Sequence, residues 1–169
     1  MSKNNVYGLF GAADGAKISN LVIGAKGDAI TLTGTPDITP SVAGVVGYAE
    51  NTTIANVTNN VSIILEGECP QAMPTSLAGI VGSGFNVTVG GKTKDNAVVN
   101  NGDVLVKSKV ATAQAGGTGL QVAGIMAYVK QGTGSQLIYC TDNVHSTGPN
   151  GRVGGIRASI YGTEKAGNK

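Results

Sequence analysis

The chain has 169 residues, of which 41% are hydrophobic, 13% charged and 4% aromatic, with 27 glycines, no tryptophan and a net charge of +2. Glycine at about 16% of the chain argues against a helical bundle, because a glycine inside a helix costs about 1 kcal/mol relative to alanine. The length predicts one domain over residues 1–169. The few charges are spread evenly, so we expect no nucleic-acid partner.

The termini and the cysteines give further expectations. No apolar run approaches the roughly 18 residues of a membrane span, so we expect none. Residues 1–5 lead into patterned sequence without an apolar signal core, which predicts either a protein that is not secreted or a segment whose signal was removed. Cys69 and Cys140 are too few for a disulfide scaffold and lack metal-ligand spacing. Cys140 ends an apolar run, which predicts a buried free thiol.

Five copies of a six-residue unit recur along the chain. In chain order they are Val6–Gly11, Val42–Gly47, Leu77–Gly82, Val122–Ala127 and Val153–Ala158. Their third residue is always glycine, and these glycines are 36, 35, 45 and 31 residues apart. Repeats of this length are typical of solenoids and other stacked arrays.

The pattern inside the unit predicts a strand. Its first and fourth positions are aliphatic, and its sixth is glycine or alanine. We expect each unit to form one strand, with the fourth and sixth positions on one face and the first, third and fifth on the other. Because glycine weakens a strand, the constant third glycine predicts that another backbone or a side chain approaches closely there.

A second patterned run follows most units, at residues 18–22, 54–60, 96–104 and 137–144. Short β-branched stretches cut by Asn, Gly and Asp are typical of strands and turns. Residues 42–60, VAGVVGYAENTTIANVTNN, resemble the GLUG-type repeat of bacterial cell-surface proteins, whose units run G-G-L-V-G, a turn, I-x-N-C and a closing N-x-G-x-V. Cys140 matches the cysteine of that pattern, where the first two units have Leu21 and Val57, and the third unit does not align.

The resemblance covers most of the chain and implies its fold. Such families form right-handed parallel β-helices or related β-solenoids, so we expect an all-β parallel β-helix of about five repeats. Stacking of units agrees with the repeat, since a unit that cannot bury its own apolar face is stable only against its neighbours. Arg157 stands at an otherwise apolar position and predicts a terminal, solvent-facing unit.

Catalytic and cofactor motifs are incomplete. Gly91-Lys92-Thr93 ends like a phosphate-binding loop, but residue 86 is Asn where that motif has its first glycine. His145 has Asp142 three residues away, which is weak evidence for a triad. The carboxylates do not recur at one repeat position, and the close pair Glu66 and Glu68 predicts a solvated turn beside a proline-containing loop. We therefore predict no catalytic, cofactor-binding or metal-binding residues.

Two surface features are candidates for binding. Spacers 66–76 and 109–119 are predicted to be loops, which carry function more often than packed strands do. The position that follows each six-residue unit is Ala12, Tyr48, Ser83, Tyr128 and Ser159. If this position faces outward, Tyr48 and Tyr128 lie on one wall about 10 Å apart, where they could stack on sugar rings. Alternatively, the two rings cover the shoulder of the solenoid.

These observations lead to three hypotheses of function. The first is a non-catalytic extracellular or cell-surface module that acts as a stalk, adhesin or glycan-contacting scaffold, with glycans or a host or cell-surface protein as partners. Its location and role are implied by the resemblance. The second is a fragment of a carbohydrate-active enzyme, a polysaccharide lyase or hydrolase, which needs carboxylates clustered on one face. The third is a self-assembling structural protein that stacks through open terminal units.

Overall fold

A computed structural model describes residues 6–33, 40–66, 75–107, 120–129, 135–143, 146–147 and 152–160, without the side chains of 146–147, 152–153 and 157–160. The first unit contains β1 (Val6–Tyr7), β2 (Phe10–Asp14), β3 (Lys17–Ile23) and β4 (Ala29–Leu32). The second contains β5 (Ser41–Ala43), β6 (Val46–Glu50), β7 (Thr53–Asn59) and β8 (Ser62–Leu65). The third contains β9 (Ser76–Ala78), β10 (Val81–Phe85), β11 (Thr88–Gly90), a 3-10 turn (Lys94–Asn96), β12 (Val98–Asn100) and β13 (Val104–Val106). The fourth contains β14 (Gln121–Ala123), β15 (Met126–Val129), β16 (Gln136–Ile138), β17 (Cys140–Asp142) and β18 (Ser146–Thr147), and the fifth contains β19 (Arg152–Gly154) and β20 (Arg157–Ile160).

The strands form four parallel sheets, and successive units contribute neighbouring strands to each sheet. Sheet A has the order β1-β5-β9-β14-β19, sheet B the order β2-β6-β10-β15-β20, and sheet D the order β4-β8-β13-β18. In sheet C, β7 pairs with β3 on one edge and with β11 and β12 on the other, and these continue to β16 and β17. The predicted all-β class is confirmed.

The prediction that each six-residue unit forms one strand is wrong. The chain bends at the third and fourth positions, Gly44 and Val45 in the second unit, so the unit contributes one strand to sheet A and the next to sheet B. Val45 and Val46 consequently both join the same apolar cluster, although neighbouring residues of a straight strand face opposite sides. The bend explains why two adjacent large aliphatic residues recur in the unit.

Three apolar clusters lie between the sheets. Sheets B and C enclose a cluster that includes Val46, Ile54 and Val57. Sheets A and D enclose another that includes Val42 and Ile63. Between sheets A and B the cluster consists of small side chains alone, at Ala43, Ala78, Ala123 and Ala127. Sheet A therefore packs against sheet B on one face and against sheet D on the other, and its middle strands are buried on both faces.

Close packing of sheets A and B explains the small sixth position of the unit. A Cβ atom added to Gly47 would lie 2.8 Å from the carbonyl oxygens of both Gly11 and Ser41. The Ser41 hydroxyl also donates to the Gly47 carbonyl oxygen at 2.6 Å, across the two sheets. At Gly47 these contacts leave no space for a side chain, and the equivalent residue of the fourth unit, Ala127, has only a methyl group.

Four asparagines occupy bends of the chain, two of them between strands (Asn51 and Asn86) and two inside β3 and β7 (Asn20 and Asn56). Asn20, Asn51, Asn56 and Asn86 have φ values of 60°, 48°, 52° and 53°. Asparagine tolerates this left-handed region better than most residues. The side chains of these asparagines also form hydrogen bonds between units. Asn56 Nδ2 donates to Asn20 Oδ1, and Asn86 Nδ2 donates to Asn51 Oδ1, each at 2.8 Å. The predicted mixture of strand and turn is thus found in runs 18–22 and 54–60, where Asn20 and Asn56 have positive φ inside strands.

Candidate functional site

Tyr48 and Tyr128 lie on one ladder of sheet B. The Cα register places Tyr48 opposite Ser83, and Ser83 opposite Tyr128, so one strand separates the two tyrosines. Ala12 and Ser159 complete the ladder at its two ends. Both tyrosines are half-buried. We call Tyr48, Ser83 and Tyr128 the tyrosine wall.

Carboxylates flank one end of the tyrosine wall. The Tyr48 hydroxyl donates to Glu50 Oε2 at 3.1 Å, and Asp14 lies opposite Glu50 on the neighbouring strand. Burial of the phenol is the main cause that raises the pKa of Tyr48, and the hydrogen bond to Glu50 adds to it. The Asn51 amide donates to Asp14 Oδ1 at 3.2 Å. The expectation that the carboxylates do not recur at one repeat position is therefore wrong for Asp14 and Glu50. Each occupies the second position after the residue of the tyrosine ladder in its unit.

A second group of polar side chains lies at the corner between sheets C and D. Asn59 and Asn100 are opposite each other and fully buried, and Asp142 is opposite Asn100 in the next unit. Asn59 Nδ2 donates to Asn100 Oδ1 at 2.8 Å, and Asn100 Nδ2 donates to Asp142 Oδ1 at 3.0 Å. We call these three residues the asparagine column.

The asparagine column also bonds to the backbone of the corner. Asn59 donates to the Val61 carbonyl oxygen at 2.9 Å and accepts from the Val61 N–H at 3.2 Å. Asn100 does the same with Gly102, at 2.8 and 3.3 Å. The repeated contacts satisfy these buried amides and fix the corner where sheet C passes into sheet D.

The asparagine column packs against the constant glycines, as the third position of the unit predicts. A Cβ atom on Gly44 would lie 2.6 Å from Asn59 Cγ. A Cβ atom on Gly79 would overlap the Asn100 amide, and one on Gly124 would overlap the Asp142 carboxyl group. The predicted close approach is confirmed at these three glycines. Sequence reasoning assigned the residues around Asn59 and Asn100 to strands and turns and did not identify the column.

Cys140 has a free, half-buried thiol. Its sulfur lies 3.4 Å from the Val89 carbonyl oxygen, and burial raises the pKa of the thiol to about 11. The sheet register places Cys140 opposite Val98, which aligns with Val57 and Leu21. Val98 is thus the third-unit residue that the sequence alignment did not find, because residues 91–97 stand between β11 and β12 where the fourth unit has Tyr139 alone. The predicted thiol is free, but less buried than expected.

Other predicted features are only partly described. Cys69, Glu68, His145, and residues 67–74 and 109–119 of the spacers lie outside the described residues, as do the side chains of Arg157 and Ser159. Glu66 forms an ion pair with Lys107 at 3.3 Å, and both side chains are about half exposed. In the part of the chain that the structure describes, no three His, Cys, Asp or Glu side chains cluster as metal ligands would.

Comparisons with protein-family models, curated proteins and solved structures give no significant match to this chain. Among the described segments there is no helix with the length and apolar character needed to cross a membrane. The site therefore has to be interpreted from its own geometry.

Proposed function

We propose that the chain is a non-catalytic β-solenoid module of a cell-surface or extracellular protein, and that the tyrosine wall contacts glycans. The four parallel sheets support the solenoid, because each unit adds neighbouring strands in the same order. The resemblance of residues 42–60 to surface-protein repeats supports the location and the role as stalk or adhesin.

The observation that carries the glycan proposal is the register of the tyrosine wall. Tyr48 and Tyr128 are separated by one strand, which places them about 10 Å apart. Two aromatic faces at this distance are suited to two separate rings of an oligosaccharide. The small Ser83 between them leaves room for the linkage, and Glu50 beside Tyr48 offers oxygens that accept hydrogen bonds from sugar hydroxyls.

A glycan-array screen of the wild-type chain and of a Tyr48→Ala, Tyr128→Ala double variant tests this proposal. We expect the wild type to bind a restricted set of oligosaccharides and the double variant to lose at least tenfold in apparent affinity. The matched control is Tyr139→Ala, since this tyrosine is exposed but lies outside the wall. Circular dichroism of all three proteins verifies that they remain folded.

Two outcomes contradict the glycan-contacting role. The first is a wild-type chain that binds no glycan on the array, which leaves a stalk without a sugar contact. The second is equal loss of binding in the wall variant and in the control variant, because then exposed tyrosines in general, and not the register of Tyr48 and Tyr128, carry the binding.

A second candidate, a carbohydrate-active enzyme, is favoured by one observation. Asp14 and Glu50 lie opposite each other on neighbouring strands, beside the Tyr48 ring. Glycoside hydrolysis usually needs a pair of carboxyl groups, one acting as an acid and the other as a base or nucleophile. Release of reducing sugar from a bound glycan, abolished by Glu50→Gln, supports this candidate, and binding without release excludes it for that glycan.

A further inference from the structure

We propose that the outer edge of the first unit is an interface for a second copy of this chain, whose fifth unit stacks on β1 and β2 head to tail. The proposal concerns sheets A and B, which run through all five units. It does not depend on whether the tyrosine wall binds glycans.

Apolar side chains are exposed at both ends of one ladder. The fourth position of the unit is Val45, Ile80 and Ile125 in the three inner units, and all three are 0% exposed. Its terminal members are Leu9, which is 55% exposed, and Ile156, which is 36% exposed. An aliphatic residue at this position is thus buried only where units lie on both sides. Each end of the ladder thus has an exposed aliphatic side chain that can pack against the one at the other end.

Other apolar residues of the first unit are also exposed where their equivalents in the second unit are buried. Tyr7 and Phe10 are exposed, whereas Val42 and Val46, their register partners in the second unit, are fully buried. An open groove of about 560 Å³ runs along β2 and β3, and its lining includes Phe10, Ala13, Ile18 and Leu21. The core-facing side chains of the first unit are therefore exposed on the side where an inner unit has a neighbour.

The backbone indicates that the occupant is another unit of the same repeat. Of the strands described, β1 and β2 pair on one edge only, with β5 and β6. At the opposite ends of the same sheets, the pairing partners of β19 and β20 within the described part of the chain are β14 and β15 alone. A free strand edge presents unpaired N–H and C=O groups. The two free edges are opposite edges of one parallel ladder, so a second copy supplies the matching hydrogen-bond pattern.

Sedimentation velocity over a concentration series from about 5 μM to about 1 mM tests the association. Head-to-tail contacts do not close, so we expect the average sedimentation coefficient to rise beyond that of a dimer. Leu9→Lys and Ile156→Lys should each weaken the association at least tenfold. The matched control is Val22→Lys. Val22 is 76% exposed, and its ladder neighbour in the second unit, Thr58, is partly exposed as well, so this position faces solvent even where units stack. This variant should associate like the wild type.

Disulfide trapping tests the orientation. Leu9→Cys and Ile156→Cys are made separately in a Cys69→Ser, Cys140→Val background, mixed and oxidised. Neighbouring strands place opposing Cα atoms about 4.8 Å apart, within the range that a disulfide bridges. We expect the mixed Leu9→Cys/Ile156→Cys product to dominate. A monomer throughout the concentration series, equal weakening by Val22→Lys, or a product that joins only two Leu9→Cys chains would each overturn the proposal.

Discussion

Asn59 and Asn100 lie one above the other in neighbouring units, with the Asn59 amide donating to the Asn100 side-chain oxygen at 2.8 Å, although both side chains are fully buried. A buried amide that lacks partners is costly, but here each amide also bonds to the backbone two residues further along the chain. The asparagine column therefore links the second, third and fourth units and fixes the same corner in the second and third. Its space exists because Gly44 and Gly79 have no side chain.

Substitution of Gly79 should destabilise the fold. In Gly79→Ala the new Cβ atom overlaps the Asn100 amide and the Gly124 carbonyl oxygen, neither of which can move without breaking contacts between units. We expect a loss of about 1–3 kcal/mol in the free energy of unfolding. The matched control is Gly155→Ala at the same position of the fifth unit, whose nearest neighbour would be 3.7 Å away. Urea unfolding followed by circular dichroism measures both, and equal stability of the two variants would contradict the packing argument.

Removal of one amide from the asparagine column should be costly as well. Asn100→Ala leaves the Asn59 amide and the Gly102 backbone with fewer partners in a buried site, so we expect a loss of about 2–4 kcal/mol. The neighbouring Asn101 bonds to Asn60 and Asn143 on the exposed side of the corner. Asn101→Ala should therefore change stability by less than about 0.5–1 kcal/mol. Similar losses of stability in both variants would contradict the argument that the buried asparagine column contributes more to stability than the exposed asparagines beside it.

Cys140 should react slowly with thiol reagents. With a pKa of about 11, only about one thiol in a thousand is ionised at pH 8, and only the thiolate is the nucleophile. In a Cys69→Ser variant we expect the rate of iodoacetamide alkylation to rise about tenfold per pH unit up to pH 10. A rate that levels off near pH 9 would contradict a raised pKa. Because the folded state holds the proton more tightly than the unfolded chain, the contribution of Cys140 to stability is lost as the pH rises from about 9 to about 11.

The contact between Tyr48 and Glu50 should be visible in a phenol titration. Glu50→Gln removes the charge that disfavours the tyrosinate, so the pKa of Tyr48 should fall toward its ordinary value, although burial still raises it. Absorbance at 295 nm as a function of pH measures this shift, with Tyr48→Phe identifying the signal. The control is Glu66→Gln, which removes a carboxylate that pairs with Lys107 in the wild type. In the wild type, stability from the neutral phenol is lost as the pH rises above about 10, because the unfolded chain releases its proton first.

The repeat allowed some features to be predicted from the sequence. Equal positions of equal units have to meet when units stack, so the ladder of Tyr48, Ser83 and Tyr128 and the close approach at Gly44 followed from alignment alone. The bend inside the unit did not follow, because adjacent aliphatic residues such as Val45 and Val46 also occur in straight strands that are buried on both faces. Nor did the burial of Asn59, because asparagine is far more common in exposed turns. Only the packed structure shows that its amide is fully bonded.

Successive units stack in parallel register, and NMR couplings across hydrogen bonds test this stacking most directly. The structure predicts couplings from the Val46 amide to the Ile80 carbonyl and from the Val81 amide to the Ile125 carbonyl, residues 34 and 44 apart in the chain. Detection of both confirms that the second, third and fourth units are neighbours in this order. Couplings that instead join Val46 or Val81 to a neighbouring antiparallel strand of a hairpin would contradict the parallel stacking of units.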